Sequence, residues 1–310
     1  MKTFEKLRML TKALYDEHAR FLVLNKLGLN NRLSDENYLK KFFKLQLGKE
    51  LNIDQPITFN EKLQWLKLYD RKPEYTIMVD KYAVKKYVAD IIGEEYIIPT
   101  LGVWNHFDEI DFDMLPKQFV LKCTHDSGGL VICKDKSTLD FRAAKQKIEK
   151  SLKHNYYWIG REWPYKNVEP KIIAETYMED NKIHELIDYK FMCFKGEVKC
   201  SFTCSERFSK DGLKVTFFDK DWKVMSFERH YHSSKNPPKK PMNYQKMIYF
   251  SERLSKGIPF VRVDFYEINS KLYFGELTFY PGGGFEEFTP EEWDYKLGSW
   301  LKLPKKFFED

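Results

Sequence analysis

Cysteine is scarce in this chain, and the five present are poorly spaced for either of its common uses. Cys123, Cys133, Cys193, Cys200 and Cys204 form no C-x-x-C pair, and their number is odd. A disulfide framework is therefore not expected. Buried thiols acting as small hydrophobes in a reducing compartment fit better. A zinc site from Cys200, Cys204 and a histidine is the alternative, set against a strand-like context. Long apolar runs are missing too: nothing approaches the roughly 18 residues of a membrane span. The opening stretch, residues 1–20, is basic and amphipathic but lacks an apolar h-region and a small-residue cleavage site, so no signal peptide is expected. The expectation is a cytoplasmic protein whose basic start is able to lie against the inner face of the membrane. Internal repeats and low-complexity tracts are absent. So is a strong charge of one sign: 52 Lys and Arg stand against 46 Asp and Glu, a net charge of +6. That balance suits a small anionic ligand and is too weak to argue for nucleic acid.

Aromatic residues make up 16% of the chain and apolar residues 43%, enough for a large core. At 310 residues, two packed lobes are expected. Residues 1–50 read as helical, with Asp35 capping a segment that ends at Leu47 before Gly48. Thr58-Phe59-Asn60-Glu61 is a capping box that opens a helix through Tyr69. Pro73 starts a helix to about Ile92; it carries Lys81, Lys85 and Lys86, and a lysine run on a helix is most often a solvated face. Residues 96–103, 119–122, 130–133, 171–178, 187–194, 198–203 and 213–218 read as strands, 139–153 and 241–256 as helices, and 154–170 as a mobile loop. Pro290 is placed at the first turn of a last helix ending at Leu301.

The chain is organised around two arms. Pro259 to Tyr266 and Leu272 to Gly275, continuing through Glu276 and Thr278 to Pro281-Gly282-Gly283-Gly284, read as strands joined by a polar turn at 267–271. Alternation puts Arg262 and Asp264 on one face, and Glu276 and Thr278 on one face of the second arm. Two carboxylates and one cation then meet across a hairpin. Carboxylates forced together repel unless a metal or a proton lies between them. Hard oxygen donors of this kind suit Mg²⁺ with phosphate completing its shell. A surface hairpin with an ordinary Arg–Asp pair is the alternative.

A second signal is Lys122 at a strand end, followed by His125-Asp126-Ser127-Gly128-Gly129 and a returning strand. Glycines there let backbone N–H groups approach an anion closely, and the lysine supplies a point charge. It is not the nucleotide P-loop, since no G-K-[ST] follows. Most glycine hairpins are simply hairpins.

The order of these pieces resembles the ATP-grasp superfamily. DYKFMCFKGE, VRVDFY and YFGELTFYPGGGF resemble its TupA-like branch, which is linked to bacterial surface-polysaccharide clusters; the resemblance spans about residues 55–303. It implies an α+β ATP-grasp fold, two lobes clamping ATP between antiparallel sheets behind a helical extension. The implied division is 1–50 for the extension, 51–115 for a preceding region, 116–180 for a small lobe with the glycine hairpin, and 181–310 for a large lobe with the metal site. Lys81 and Lys122 would touch ATP phosphates, and Asp126, Ser127, Gly128 and Gly129 would fold over them. Glu175, Tyr177 and Met178 would line the adenine, with Glu179 or Asp180 on the ribose. Lys190 and Arg262 would be catalytic, Arg262 steadying the transferred phosphoryl group. Asp264 and Glu276 would hold one or two Mg²⁺ ions. The usual motif ends Glu-x-Asn; Thr278 here leaves the second ion in doubt.

The implied reaction is ATP-dependent carboxylate–amine ligation through an acylphosphate. It would amidate a uronic acid or related carboxylate in capsule, O-antigen or teichuronopeptide-type polysaccharide synthesis. The implied partners are a carboxylate, small or part of a glycan, and an amine, with contact to a polysaccharide-assembly machinery. Arg207, Arg229, Glu286 and the 154–168 loop are candidates for the substrate face. A sugar kinase on the same fold is one alternative. A glycosyltransferase is another, with Asp111-Phe112-Asp113 or Asp219-Lys220-Asp221 as its metal motif. A binding module without catalysis is a third, and metal-type carboxylates speak against it.

Overall fold

A computed structural model describes residues 11–180, 186–206, 209–210 and 212–306. Its helices of six or more residues are α1 Glu17–Lys26, α2 Asp35–Leu47, α3 Phe59–Tyr69, α4 Glu74–Val79, α5 Ala83–Ile92, α6 Phe141–Leu152, α7 Tyr244–Leu254 and α8 Glu292–Trp300. Its main strands are β1 Thr100–Trp104, β2 Phe119–Cys123, β3 Leu130–Cys133, β4 Ile172–Thr176, β5 Asp188–Phe194, β6 Glu197–Ser205, β7 Lys214–Phe218, β8 Phe260–Ile268 and β9 Lys271–Thr278. The chain divides into two compact units. One holds residues 1–71, 156–163 and 280–310; the other holds 72–155 and 164–279.

The first unit is helical. Ser34, not Asp35, caps α2: its hydroxyl accepts from Asn37 N at 3.3 Å, and Asp35 is already the first helical residue. Gly48 ends that helix with φ 69°, the left-handed stop that glycine permits. Thr58 and Glu61 close the capping box of α3 from both sides. The last helix begins at Glu292, so Pro290 precedes it rather than opening it. The segment read as a mobile loop is anchored over residues 156–163. Arg161 is 0% exposed, its guanidinium 4.3 Å from the Tyr38 ring and 4.5 Å from the Trp158 ring, with Nη2 donating to Asn30 O at 2.9 Å. Lys67 is also fully buried, donating to Gln64 Oε1, Gly160 O and Gly283 O at 2.6–2.9 Å. Burial pushes its ammonium down to about 7. It ties the glycine loop 281–284 to α3.

The second unit contains two antiparallel sheets. The four-stranded sheet runs β1-β4-β2-β3, and the five-stranded sheet runs β9-β8-β5-β6-β7. On β2, Phe119, Leu121 and Cys123 point into a core shared with Ala144 and Ile148 of α6, leaving Val120 and Lys122 on the other face. All five cysteines are free and buried. The helix expected from Pro73 to Ile92 is broken. Asp80 Oδ1 accepts from Tyr82 N and Ala83 N at 2.8 and 3.1 Å, a local turn that outcompetes helix continuation and starts α5 afresh. The break frees the Lys81 backbone N–H to donate to Thr124 O at 3.0 Å.

Candidate functional site

The site is built on the β8–β9 hairpin. Arg262 donates from Nε and Nη2 to the two oxygens of Asp264, both at 2.7 Å. The same Nη2 reaches Glu276 Oε1 at 2.7 Å and Thr278 Oγ1 at 2.9 Å. Sequence alternation accounts for each pair on its own strand. Their meeting depends on a bulge. Phe274 pairs with Phe265 and Leu277 with Val263, so Gly275 and Glu276 together face Asp264. A Cβ on Gly275 would stand 3.1 Å from Asp264 O and 3.2 Å from the Tyr266 ring, so glycine is what lets the bulge close. The extra residue keeps Phe274 and Leu277 buried while Glu276 and Thr278 turn toward Arg262.

Lys190 on β5 is directly opposite Asp264 and bonds its Oδ2. Asp188, two residues earlier, is 3.7 Å from the Lys190 ammonium. Burial and Arg262 push Lys190 down, yet Asp264 and Asp188 outweigh them and raise it. Burial pushes the Asp264 carboxyl up, and Arg262 and Lys190 pull it back. Partial burial pushes Glu276 up as well, but Arg262, Lys190 and Lys81 prevail and hold it at about 2. Glu276 is therefore an anion at any physiological pH.

A second charge cluster lies between α5, β2 and β4. Glu175 accepts from Lys122 at 2.5 Å and Lys85 at 2.6 Å. Burial raises the Glu175 carboxyl, and the two lysines outweigh it, leaving it below the usual range. Burial lowers both Lys85 and Lys81. Lys81 bonds the carbonyl of Asp126. These groups wall a small open cleft formed by Lys81, Lys85, Lys122, Glu175, Tyr266 and Glu276, with Val84, Ile97, Ile98, Phe274 and Gly275 supplying its apolar side. Ammonium groups around an apolar slot suit an anion attached to a flat apolar body.

Of the residues singled out from sequence, the structure brings Lys81, Lys122, Glu175 and Glu276 to this cleft, with Arg262, Asp264 and Lys190 on the adjoining sheet face. The turn at Asp126, Ser127, Gly128 and Gly129 is not among the cleft walls. Asp126 turns its carboxylate inward, accepting from Gly129 N at 3.1 Å and from Ser151. His125 Nε2 lies 2.9 Å from His154 O, so the turn is fastened to the end of α6. Tyr177 lies under the Lys134 ammonium, 5.7 Å away, and Met178 is half-buried. Asp180 accepts from Asn269 N at 2.8 Å, steadying the β8–β9 turn. None of these three lines the cleft. Arg229 is buried over Phe202 and Phe217, Glu286 is half-buried, and Arg207 falls outside the described residues. Asp111 and Asp219 each spend a carboxylate oxygen on backbone N–H groups of their own turns, at 2.9–3.0 Å. That is loop chemistry, and it weakens the glycosyltransferase alternative.

Lys85 was read as part of a solvated face; it is an inner member of the Glu175 cluster. Its only sequence signal is its place beside Val84 on the apolar flank of α5. Asp188 and Tyr266 were also missed, although alternation with Lys190 and Asp264 puts both on the site face.

Asp264 and Glu276 offer two carboxylates, and Thr278 a hydroxyl, around one point. Among the described residues no group of three or more His, Cys, Asp or Glu clusters as a metal cage. Two carboxylates fit magnesium completed by ligand phosphate and water, which is how that ion is usually held. No helix of the described residues is long and apolar enough to cross a membrane.

A family model described as TupA-like ATPgrasp matches residues 61–302. No curated protein matches the chain. Among solved structures the chain is similar to D-alanine–D-alanine ligase from Bacillus anthracis complexed with ATP, at 16% identity, 65% of this chain, 53% of that one and a TM-score of 0.39. It is similar to D-alanine–D-alanine ligase from Helicobacter pylori, at 15% identity, 74% and 62% coverage and a TM-score of 0.39. It is also similar to a RimK domain ATP-grasp protein from Sphaerobacter thermophilus, at 12% identity, 73% and 69% coverage and a TM-score of 0.38. The chain thus spans 53–62% of the length of the two ligases, and likeness at this level is too loose to carry an argument.

Proposed function

Because this chain belongs to the TupA-like ATP-grasp family, we propose that it is an ATP-dependent carboxylate–amine ligase. The observation that supports the reading best is the fork of Arg262 on Asp264, shared with Glu276 and Thr278, beside a cleft ringed by Lys81, Lys85 and Lys122. Phosphoryl transfer asks for positioned charge more than for a covalent nucleophile. Lys81 and Lys122 bind the phosphates, and the turn from Asp126 to Gly129 lies beside them, joined to Lys81 through the Asp126 carbonyl. Glu175 borders the adenine, while Tyr177, Met178 and Asp180 stand outside the cleft walls. Magnesium held by Asp264 and Glu276 would neutralise phosphate charge.

The substrate carboxylate attacks the γ-phosphorus, ADP leaves, and an acylphosphate forms. Arg262 steadies the transferred group through donors already fixed in place. Lys190 sits opposite Asp264 to hold the acyl oxygen. An amine then attacks the carbonyl carbon, and phosphate leaves with the acyl–oxygen bond pair and takes up the proton the amine gives up. The substrate in this reading is a uronic acid or related carboxylate of a surface polysaccharide, handled in the cytoplasm.

Hydroxylamine trapping tests the reaction class. Full-length protein with ATP, Mg²⁺ and a panel of uronic acids should yield a hydroxamate. ADP formation with a phosphorylated sugar and no hydroxamate would replace the ligase with a sugar kinase.

A further inference from the structure

The chain carries a net charge of +6, yet Glu286 to Asp294 holds five carboxylates and no lysine or arginine. In the helical unit this stretch helps to form an open pocket of about 240 Å³, roughly the volume of eight waters. Leu47 and Phe288 are its apolar walls; Asn60, Glu287, Asp294 and the pair Lys49–Glu291 are its polar ones. Its frame is tightly joined. The start of α3 meets α8 at Gly298, where a Cβ would stand 2.2 Å from Ile57 O. Lys62 Nζ clamps the same contact, donating to Gly298 O and Leu301 O at 2.7 and 2.9 Å.

Two features of the pocket ask for a ligand of one kind. Its charge is uncompensated: Lys49 pairs with Glu291 at 2.7 Å, which leaves Asp294 and Glu287 with no ion-pair partner among the described residues. Asp294 is 6% exposed, and burial lifts its carboxyl to about 6, so above that pH it is a buried anion. An acceptor is also left over. Asn60 is 2% exposed, and its Nδ2 donates to Glu286 O at 2.9 Å and to Asp294 Oδ2 at 3.0 Å. Both partners are acceptors, so the amide cannot be reversed, and both of its N–H groups are committed. The polar atom that Asn60 keeps for the pocket is Oδ1, and it accepts from no donor among the described residues. A buried acceptor without a donor is costly, and a ligand N–H removes that cost.

The ligand is therefore a cation that donates hydrogen bonds. A metal ion fits poorly, since among the described residues no three acidic, histidine or cysteine groups converge as a metal site. A primary ammonium carries three N–H donors and can divide them between Asp294 and Asn60 Oδ1. Methylenes attached to it would lie against Leu47 and Phe288. A second ammonium would answer the remaining carboxylate, Glu287, which is exposed at the rim. We propose that this pocket binds a short alkyl diamine, with one ammonium on Asp294 and Asn60 Oδ1 and the other on Glu287. The proposal does not rest on the ligase reading, because every residue in it belongs to the helical unit.

Calorimetric titration of the full chain with diaminobutane tests this, in an amine-free buffer at a pH where Asp294 is ionised. The wild type should show saturable binding. Glu287→Gln should weaken it about threefold, and Asp294→Asn about tenfold. A cooperative melting transition verifies the folding of each variant, and the exposed Glu287 position keeps the test decisive if Asp294→Asn does not fold. The bis-trimethylammonium analogue has the same charge and no N–H, so it should bind about tenfold more weakly than the diamine. Absence of saturable binding to the wild type overturns the proposal. So does equal affinity in Glu287→Gln, equal affinity for the quaternary analogue, or displacement of the diamine by potassium or magnesium ions at the same concentration.

Discussion

Arg262 and Asp264 are locked together two residues apart on one strand, each carboxylate oxygen 2.7 Å from a guanidinium nitrogen. This fork fixes the plane of the guanidinium before any ligand arrives, which is what electrostatic stabilisation of a transferring group needs. Lysine offers charge without the fork. Arg262→Lys should therefore lower kcat by about 100-fold with a small change in KM for ATP. Steady-state ADP release separates the two parameters; a variant with unchanged kcat would remove Arg262 from the chemistry.

The bulge at Gly275 makes a different prediction. Valine there would drive side-chain atoms against Asp264 O and the Tyr266 ring, from which even a Cβ stands only 3.1 and 3.2 Å. Gly275→Val should cost about 1–3 kcal/mol of stability and misdirect Glu276. Urea unfolding gives the first quantity and ATP–Mg²⁺ affinity the second. Full affinity with full stability would mean that the hairpin tolerates a regular register.

Glu175 binds two ammonium groups from inside the protein. Glu175→Gln leaves Lys85 and Lys122 with no carboxylate, at a cost of about 3 kcal/mol. Lys85→Met alone should be milder, because Lys122 keeps its partner. Comparing the two variants and their double by denaturant unfolding isolates the coupling.

Asp294 supplies a pH signature. It accepts from Asn60 N and Nδ2 at 2.9 and 3.0 Å, and burial lifts its carboxyl to about 6 despite those bonds. A raised carboxyl binds its proton more tightly in the folded state than in the unfolded chain. Stability attributable to it falls as pH rises from the ordinary carboxyl range to about 6, and is level above that. Denaturant unfolding of wild type and Asp294→Asn across that range should show the wild type losing ground only within it. Parallel curves would contradict the assignment.

Local chemistry was the legible part of this protein. The Thr58–Glu61 box, the Gly48 stop and the alternation of Arg262 with Asp264 depend on residues within one or two turns of each other, and each is where the sequence puts it. The family phrases carried the fold class. What escaped was set by distance or by competition. Lys85 meets Glu175 across 90 positions of chain, and its place beside Val84 is the one signal α5 itself offers. Ser34 displaced Asp35 as a cap because a serine one position earlier already satisfies the helix end. Asp80 split one expected helix into two by offering its own turn. The bulge at Gly275 is invisible to strict alternation, yet it decides where Glu276 points.

The most direct test is the melting temperature with and without ATP–Mg²⁺, in the wild type and in Asp264→Ala. At a hundredfold excess over Kd, the wild type should gain about 5 °C. The variant should gain little, because the carboxylate opposite Lys190 and Arg262 is gone. A wild type unmoved by ATP–Mg²⁺, or stabilised by a nucleotide sugar instead, would contradict the nucleotide site on which the account rests.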